Sequence, residues 1–204
     1  MEKIIFYIGM GIFSFTSLMF LVLKKRNPKM ASVNMLVNFI TIASYIVMMS
    51  EVGVVSASTG DLIYWTRWAF YAVSCSLLMY EISMILGIDN KTVLEIIAFN
   101  AIVMVAGLYA SITAVPIKWY FFTLSSIAYI YILYQIGKNR ADNNFILLFV
   151  IIFWSGFPLV WVMSPAALMV LNSFWTALIY LVLDLITKVY FGIHTTLKYS
   201  SLSV

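Results

Sequence analysis

Charge is scarce in this chain: only 10% of its 204 residues are Asp, Glu, Lys or Arg, where soluble domains carry roughly 25%. That excludes an ordinary water-facing surface, and with 64% hydrophobic residues it makes a lipid bilayer the natural solvent. Cysteine and histidine occur once each, as Cys75 and His194. An intrachain disulfide is therefore impossible, and the usual zinc ligand sets cannot be assembled. No metal site is expected, and with no hydrolytic constellation in view neither is an enzyme. Low-complexity tracts, domain linkers and a convincing internal repeat are also lacking.

What is present is a series of seven apolar stretches, at about residues 4 to 23, 30 to 50, 62 to 86, 93 to 115, 117 to 136, 145 to 163 and 167 to 193. Each is close to the ~20 residues that a bilayer-spanning helix needs. Together they consume nearly the whole chain, which predicts an all-α, seven-helix, multi-pass protein of the cell membrane, organised as one domain over 1–204. The runs are continuous rather than alternating, so sheet is not expected. Short polar or turn-forming clusters separate them: KKRNPK at 24 to 29, SASTGD at 56 to 61, GIDNK at 87 to 91, TAVP at 113 to 116, GKNRADNN at 137 to 144 and SPA at 164 to 166. The first span lacks a small-residue cleavage site and is too long for a signal peptide, so it is read as a retained helix.

Lys24, Lys25, Arg26, Lys29, Lys91, Lys138, Arg140 and Lys198 all fall on the side reached after helices 1, 3, 5 and 7, whereas the other side has Lys3 and Lys118. The positive-inside rule then predicts an outside N-terminus and a cytoplasmic C-terminus. Basic cytoplasmic loops account for the formal charge of +4 without a nucleic-acid partner.

Of the twelve Lys and Arg, only Arg67 and Lys188 lie inside the membrane. Burial of an ionised side chain at mid-depth costs on the order of 3 kcal/mol or more, so each needs a partner or a task. Among the acids, Asp184 and Glu81 are the candidates at depth; Asp61 is expected to cap the third helix, and Glu95 to lie near the cytoplasmic end of the fourth. Asp184 and Lys188 are four apart, one turn on one helix face. Two readings are open: a structural ion pair, or a Schiff-base lysine with Asp184 as counterion, the chemistry to which a desolvated lysine is suited. Arg67, Ser74 and Glu81 recur every seven residues and form a polar stripe of about 21 Å on the third helix. The sixth span supplies Phe153, Trp154, Phe157, Pro158 and Trp161, and the third adds Tyr71. Trp154, Phe157, Pro158 and Trp161 share one face. Such a stripe is packing, or, opposite an intramembrane lysine, a slot for a long apolar ligand. Pro158 should bend its helix.

At this point LDLITKVYFG at 183 to 192 and WSGFPLVW at 154 to 161 resemble the microbial rhodopsin family, in the last and sixth helices respectively. The resemblance implies all-trans-retinal bound to Lys188, with Tyr71, Cys75, Trp154, Phe157, Pro158 and Trp161 as pocket walls and Asp184 as counterion. Aligned on Arg67, the third helix has Phe70, Ser74 and Glu81 where an outward proton pump has its acceptor aspartate, a threonine and its donor aspartate. That triplet is similar to the schizorhodopsins, which implies light-driven inward proton pumping, Glu81 accepting the proton or assisting its transfer through water, and a homotrimer in the bilayer. A sensory photoreceptor without net transport, or a light-gated channel lined by the polar face of helix 3, are the alternatives. His194 is expected as an interfacial residue rather than a proton station.

Overall fold

In lipid, every backbone N–H and C=O must find its partner within the protein, which restricts spanning segments to helices or closed barrels. The computed structural model describes residues 2–140 and 144–199 and has seven helices long and apolar enough to cross a membrane. They are α1 (Lys3–Leu23), α2 (Pro28–Met49), α3 (Thr66–Leu86), α4 (Asn90–Ile112), α5 (Ile117–Asn139), α6 (Asn144–Met163) and α7 (Ser173–Lys198). Of the α5–α6 boundary cluster, residues 141–143 lie outside the described residues. Consecutive helices pack side by side, and α7 closes the ring by packing on α1 and α2. Large apolar side chains such as Phe15, Ile130 and Leu159 remain exposed on the outside of the bundle, as lipid contact requires.

Turn chemistry sets the helix ends on the side that carries the basic loops. Asn27 caps α2 by accepting from Met30 N (3.2 Å), with Pro28 in the first turn. Its amide also donates to Tyr199 O at 3.0 Å, tying the end of α7 to the start of α2. Gly87 ends α3 in the left-handed region (φ 64°), which a residue with a Cβ rarely adopts. Asp89 caps α4 through Lys91 N and Thr92 N.

The opposite side departs from expectation. The third span does not begin at residue 62: β1 (Val54–Ser56) and β2 (Leu62–Tyr64) form a short antiparallel hairpin, with Val55 opposite Ile63. The SASTGD cluster is its turn, and the apolar β2 merely adjoins α3, so hydropathy alone merged the two. This hairpin carries Asp61 away from α3. Its Oδ1 accepts from Ser173 N (3.0 Å) and Ser173 Oγ (2.9 Å) at the start of α7, its Oδ2 from Thr59 Oγ1 (2.8 Å). Asp61 is therefore a brace on α7 rather than the cap of α3.

α6 and α7 each contain a π-helical stretch, Val150–Trp154 and Leu185–Tyr190. The first has a local cause: Pro158 cannot donate to Trp154 O, and its ring crowds that carbonyl. The second surrounds Lys188, and such wide turns recur at functional positions.

α3, α4 and α6 are fastened together at Ser111. The indole N–H groups of Trp68 and Trp161 both donate to Ser111 Oγ at 2.9 Å, while that hydroxyl donates to Gly107 O at 2.8 Å. One hydroxyl thus uses both lone pairs and its proton.

Two predictions follow from these braces. Ser111→Ala strands two indole N–H groups in the apolar interior, each costing about 1–3 kcal/mol. The detergent-solubilised variant should unfold at a clearly lower temperature, and an unchanged midpoint would show that the shared hydroxyl holds nothing together. For Asp61, the backbone N–H of Ser173 and the hydroxyls of Thr59 and Ser173 hold the carboxyl below its ordinary value of 3.8. The stabilisation is present above 3.8 and is lost as pH falls through the lowered folded value. Asp61→Asn should reduce stability by ~1 kcal/mol at neutral pH, and thermal unfolding followed against pH should show that gap closing below 3.8.

Candidate functional site

Lys188 and Asp184 are each about 1% exposed, and Lys188 Nζ lies 2.6 Å from Asp184 Oδ1. The i, i+4 spacing on α7 brings them together, as the sequence indicates. Asp184 is not held by lysine alone. Tyr71 OH is 2.9 Å from both carboxylate oxygens, and Tyr45 OH donates to Oδ2 at 3.0 Å. A carboxylate with three donors from α2, α3 and α7 is fixed in position, and each charge-assisted bond is roughly twice as strong as a neutral one. The Lys188 ammonium also stands 4.0 Å from the centroid of the Tyr71 ring, a cation–π contact.

Arg67 is buried, yet it forms no ion pair with Asp184 within 4 Å. Its guanidinium lies 4.5 Å from the Tyr180 ring centroid and 5.9 Å from that of Tyr71, with Met48 Sδ at 3.6 Å. Beside it, on the hairpin side, is a smaller cavity with Ser164, Ser173, Thr176 and Tyr180 in its wall.

A larger cavity has Lys188 in its wall. Tyr71, Cys75, Trp154, Phe157, Pro158 and Trp161 all line it. Phe157 stands edge-on to Tyr71 (centroids 5.6 Å apart) and stacked on Tyr180 (5.9 Å), and Trp161 stacks on Phe122 at 4.9 Å. Phe153 does not line the cavity; it packs on Phe149. Sequence reasoning missed the wall from α4 and α5: Asn100, Val103, Met104 and Gly107 on α4, and Phe122, Ser125, Ser126, Tyr129 and Ile132 on α5. A Cβ on Gly107 would meet the Trp68 ring at 3.1 Å, so the small residue lets Trp68 flank the cavity. An amine in the wall of an apolar, aromatic-lined cavity fits an apolar aldehyde such as the retinal that the resemblance implies.

The remaining candidates lie farther along α3. Phe70 is half-buried and is not part of the cavity wall. Ser74 is buried one turn from Tyr71. Glu81 has no exposure, and its Oε1 accepts from Asn34 Nδ2 (2.9 Å) and Thr195 Oγ1 (2.5 Å). Between it and Lys188 is an apolar layer that includes Leu78 of α3 and Phe191 of α7. Thus Arg67 and Asp184 belong to one polar centre, Glu81 to another. His194 packs its ring 4.7 Å from Phe145 and 6.0 Å from Tyr190, apart from both. Tyr45, Tyr180, Asn34 and Thr195 were missed, though helical spacing carried a signal for them: Tyr180 stands four residues before Asp184, Thr195 seven after Lys188, and Asn34 and Tyr45 share the α2 face of Asn38 and Thr41.

The profile described as bacteriorhodopsin-like protein matches residues 1–199. The crystal structure of schizorhodopsin 4 is 62% identical, with a TM-score of 0.95 over 96% of this chain and 98% of that one. The thermophilic rhodopsin from Rubrobacter xylanophilus shares the fold at 21% identity, with a TM-score of 0.90 over 100% of this chain and 98% of that one. Bacteriorhodopsin-II of Haloarcula marismortui is 28% identical over 78% of this chain and 71% of its own length. With the family profile spanning almost the whole chain, and seven apolar helices arranged around a buried lysine, this multi-pass membrane protein belongs to the bacteriorhodopsin-like family of microbial rhodopsins.

Proposed function

We propose that the protein is a light-driven inward proton pump, with all-trans-retinal held covalently at Lys188, the N-terminus outside and the C-terminus cytoplasmic. The homotrimer implied by the resemblance is part of this reading. The observation that carries it is the placement of carboxyl groups. Asp184 is locked on Lys188, Phe70 stands where an outward pump has its acceptor, and the next buried carboxyl is Glu81, on the side of the basic loops. The 62% identity to schizorhodopsin 4 supports the same reading.

Retinal held covalently at Lys188 would supply light absorption and an isomerisation beside the proton on Nζ. The chain's residues then decide where that proton goes. Asp184, with both oxygens accepting from Lys188, Tyr45 and Tyr71, stays as a fixed negative charge and compensates the positive charge at Nζ. The phenyl ring of Phe70 can accept no proton, so release toward the hairpin side lacks its first station. On the basic side, Glu81 Oε2 is the carboxylate oxygen free to receive the proton or to pass it through water. The apolar layer of Leu78 and Phe191 keeps the two centres apart, which limits leakage in the dark. Uptake runs from the hairpin side, where a cavity has Arg67 in its wall.

In illuminated, retinal-fed cells expressing the protein, external pH should rise, and a protonophore should abolish the rise. Acidification would exclude the reading. No pH change, with a visible band that depends on Lys188, would favour a sensory photoreceptor, and a steady photocurrent that reverses with the ion gradient would favour a channel. Glu81→Gln should reduce the initial transport rate about tenfold or more, the scale on which positioned proton-transfer groups act, while keeping the visible band.

A further inference from the structure

A carboxyl group that exchanges a proton must do so at one of two oxygens, and at Glu81 the surroundings of the two differ. Oε1 accepts from Asn34 Nδ2 at 2.9 Å and from Thr195 Oγ1 at 2.5 Å, whereas Oε2 is buried without a hydrogen-bond partner among the described residues. We infer that Asn34 and Thr195 are positioning residues that fix Oε1 as the carbonyl-like oxygen of Glu81 and leave Oε2 as the one that takes and gives the proton. This rests on the pumping role proposed for Glu81.

Asn34 is suited to such a role because its amide nitrogen can only donate. One proton of that nitrogen goes to Met30 O at 3.1 Å, within α2, which leaves the other aimed at Oε1. Thr195 has a single hydroxyl proton and is also 2.9 Å from Phe191 O. Its shorter distance to Glu81 directs that hydrogen bond to Oε1 rather than to Phe191 O or to Gly192 O at 3.1 Å. When Glu81 is ionised, the two donors stabilise charge at Oε1. When it is neutral, a proton on Oε1 would face two donor groups, so it resides on Oε2. Proton gain and loss at a single oxygen then need no rotation of the carboxyl, because both donors come from helices whose backbones hold them.

The close approach of α2 and α7 is a separate sign that this arrangement is built in. A Cβ at Gly192 would fall 2.6 Å from Asn34 Cγ and 3.0 Å from the Phe20 ring. Asn34 can hold its position only beside a residue without a side chain. Gly192→Ala, which leaves Glu81, Asn34 and Thr195 in the sequence, should therefore disturb the clamp indirectly.

The test is infrared spectroscopy of the full-length, retinal-loaded protein in liposomes, in the dark and under light, with the Glu81 C=O stretch assigned by its loss in Glu81→Gln. Asn34→Leu and Thr195→Val each remove a donor from the carbonyl oxygen and should move that stretch to higher frequency. Gly192→Ala should move it the same way, and Thr195→Ser should restore it. The first three variants should pump about tenfold more slowly, the order of loss that a misplaced reacting group produces, with visible spectra close to wild type showing that they fold. A Glu81 band and pumping rate unchanged in both Asn34→Leu and Thr195→Val overturn the inference, as does the absence of any Glu81-dependent C=O band. If Glu81→Gln pumps at the wild-type rate, the pumping role of Glu81 fails instead, and the position of the band still decides whether the clamp exists.

Discussion

A lysine and an aspartate at full burial in the middle of a membrane bundle are the constraint around which the remaining site is arranged. Neither charge can be there alone, since each would cost several kcal/mol. Together, 2.6 Å apart on one helix face, they neutralise each other, but a buried pair is tolerated only if the remaining lone pairs are also satisfied. Tyr45 and Tyr71 do this, reaching Asp184 from α2 and α3. The positions of three helices thus follow from satisfying one carboxylate. Arg67 then has no place on Asp184 and finds aromatic faces and a thioether instead.

That arrangement also gives the bundle its polarity. On the hairpin side are Arg67, a cavity and no further buried carboxyl among the described residues. On the basic side, beyond Leu78 and Phe191, is a neutral amide and hydroxyl pair holding Glu81. A membrane protein moves charge in one direction when its stations differ on the two sides of a switch, and here the difference is in residue type as well as position. The π-helical turn around Lys188 and the one before Pro158 place the two least regular backbone segments of α6 and α7 at the same level as the cavity. Wide turns leave carbonyls less tightly engaged than in an α-helix, which suits walls that must yield to a change in ligand shape.

The seven spans were legible because lipid leaves few options: an apolar run of ~20 residues must be a helix. Asp184, Lys188 and the Trp154 to Trp161 stripe were legible because helical spacing converts directly into shared faces. Other features depend on tertiary placement. β2 is as apolar as the start of α3, so hydropathy could not separate them, and Asp61 was assigned to the wrong helix in consequence. Asn34 and Tyr45 lie on α2 in a polar stripe with Asn38 and Thr41 at i, i+4, i+7 and i+11, but the spacing shows only a shared face and not which carboxyl each residue meets. Their role comes from which helix happens to be opposite. Gly107 and Ser111 act through the tryptophans they face, and the α4 and α5 walls of the cavity have no motif because any small or apolar residue can line such a wall.

The most direct test of the account is the dark absorption spectrum of Asp184→Asn in retinal-loaded protein at neutral pH. Lys188 is the one cation within ion-pair distance of Asp184 among the described residues, and no other carboxylate reaches it. The account therefore predicts that the visible band of the wild type is lost or strongly displaced in this variant. A visible band unchanged in position and intensity would contradict it, since the charge at Lys188 would then be compensated by some other group.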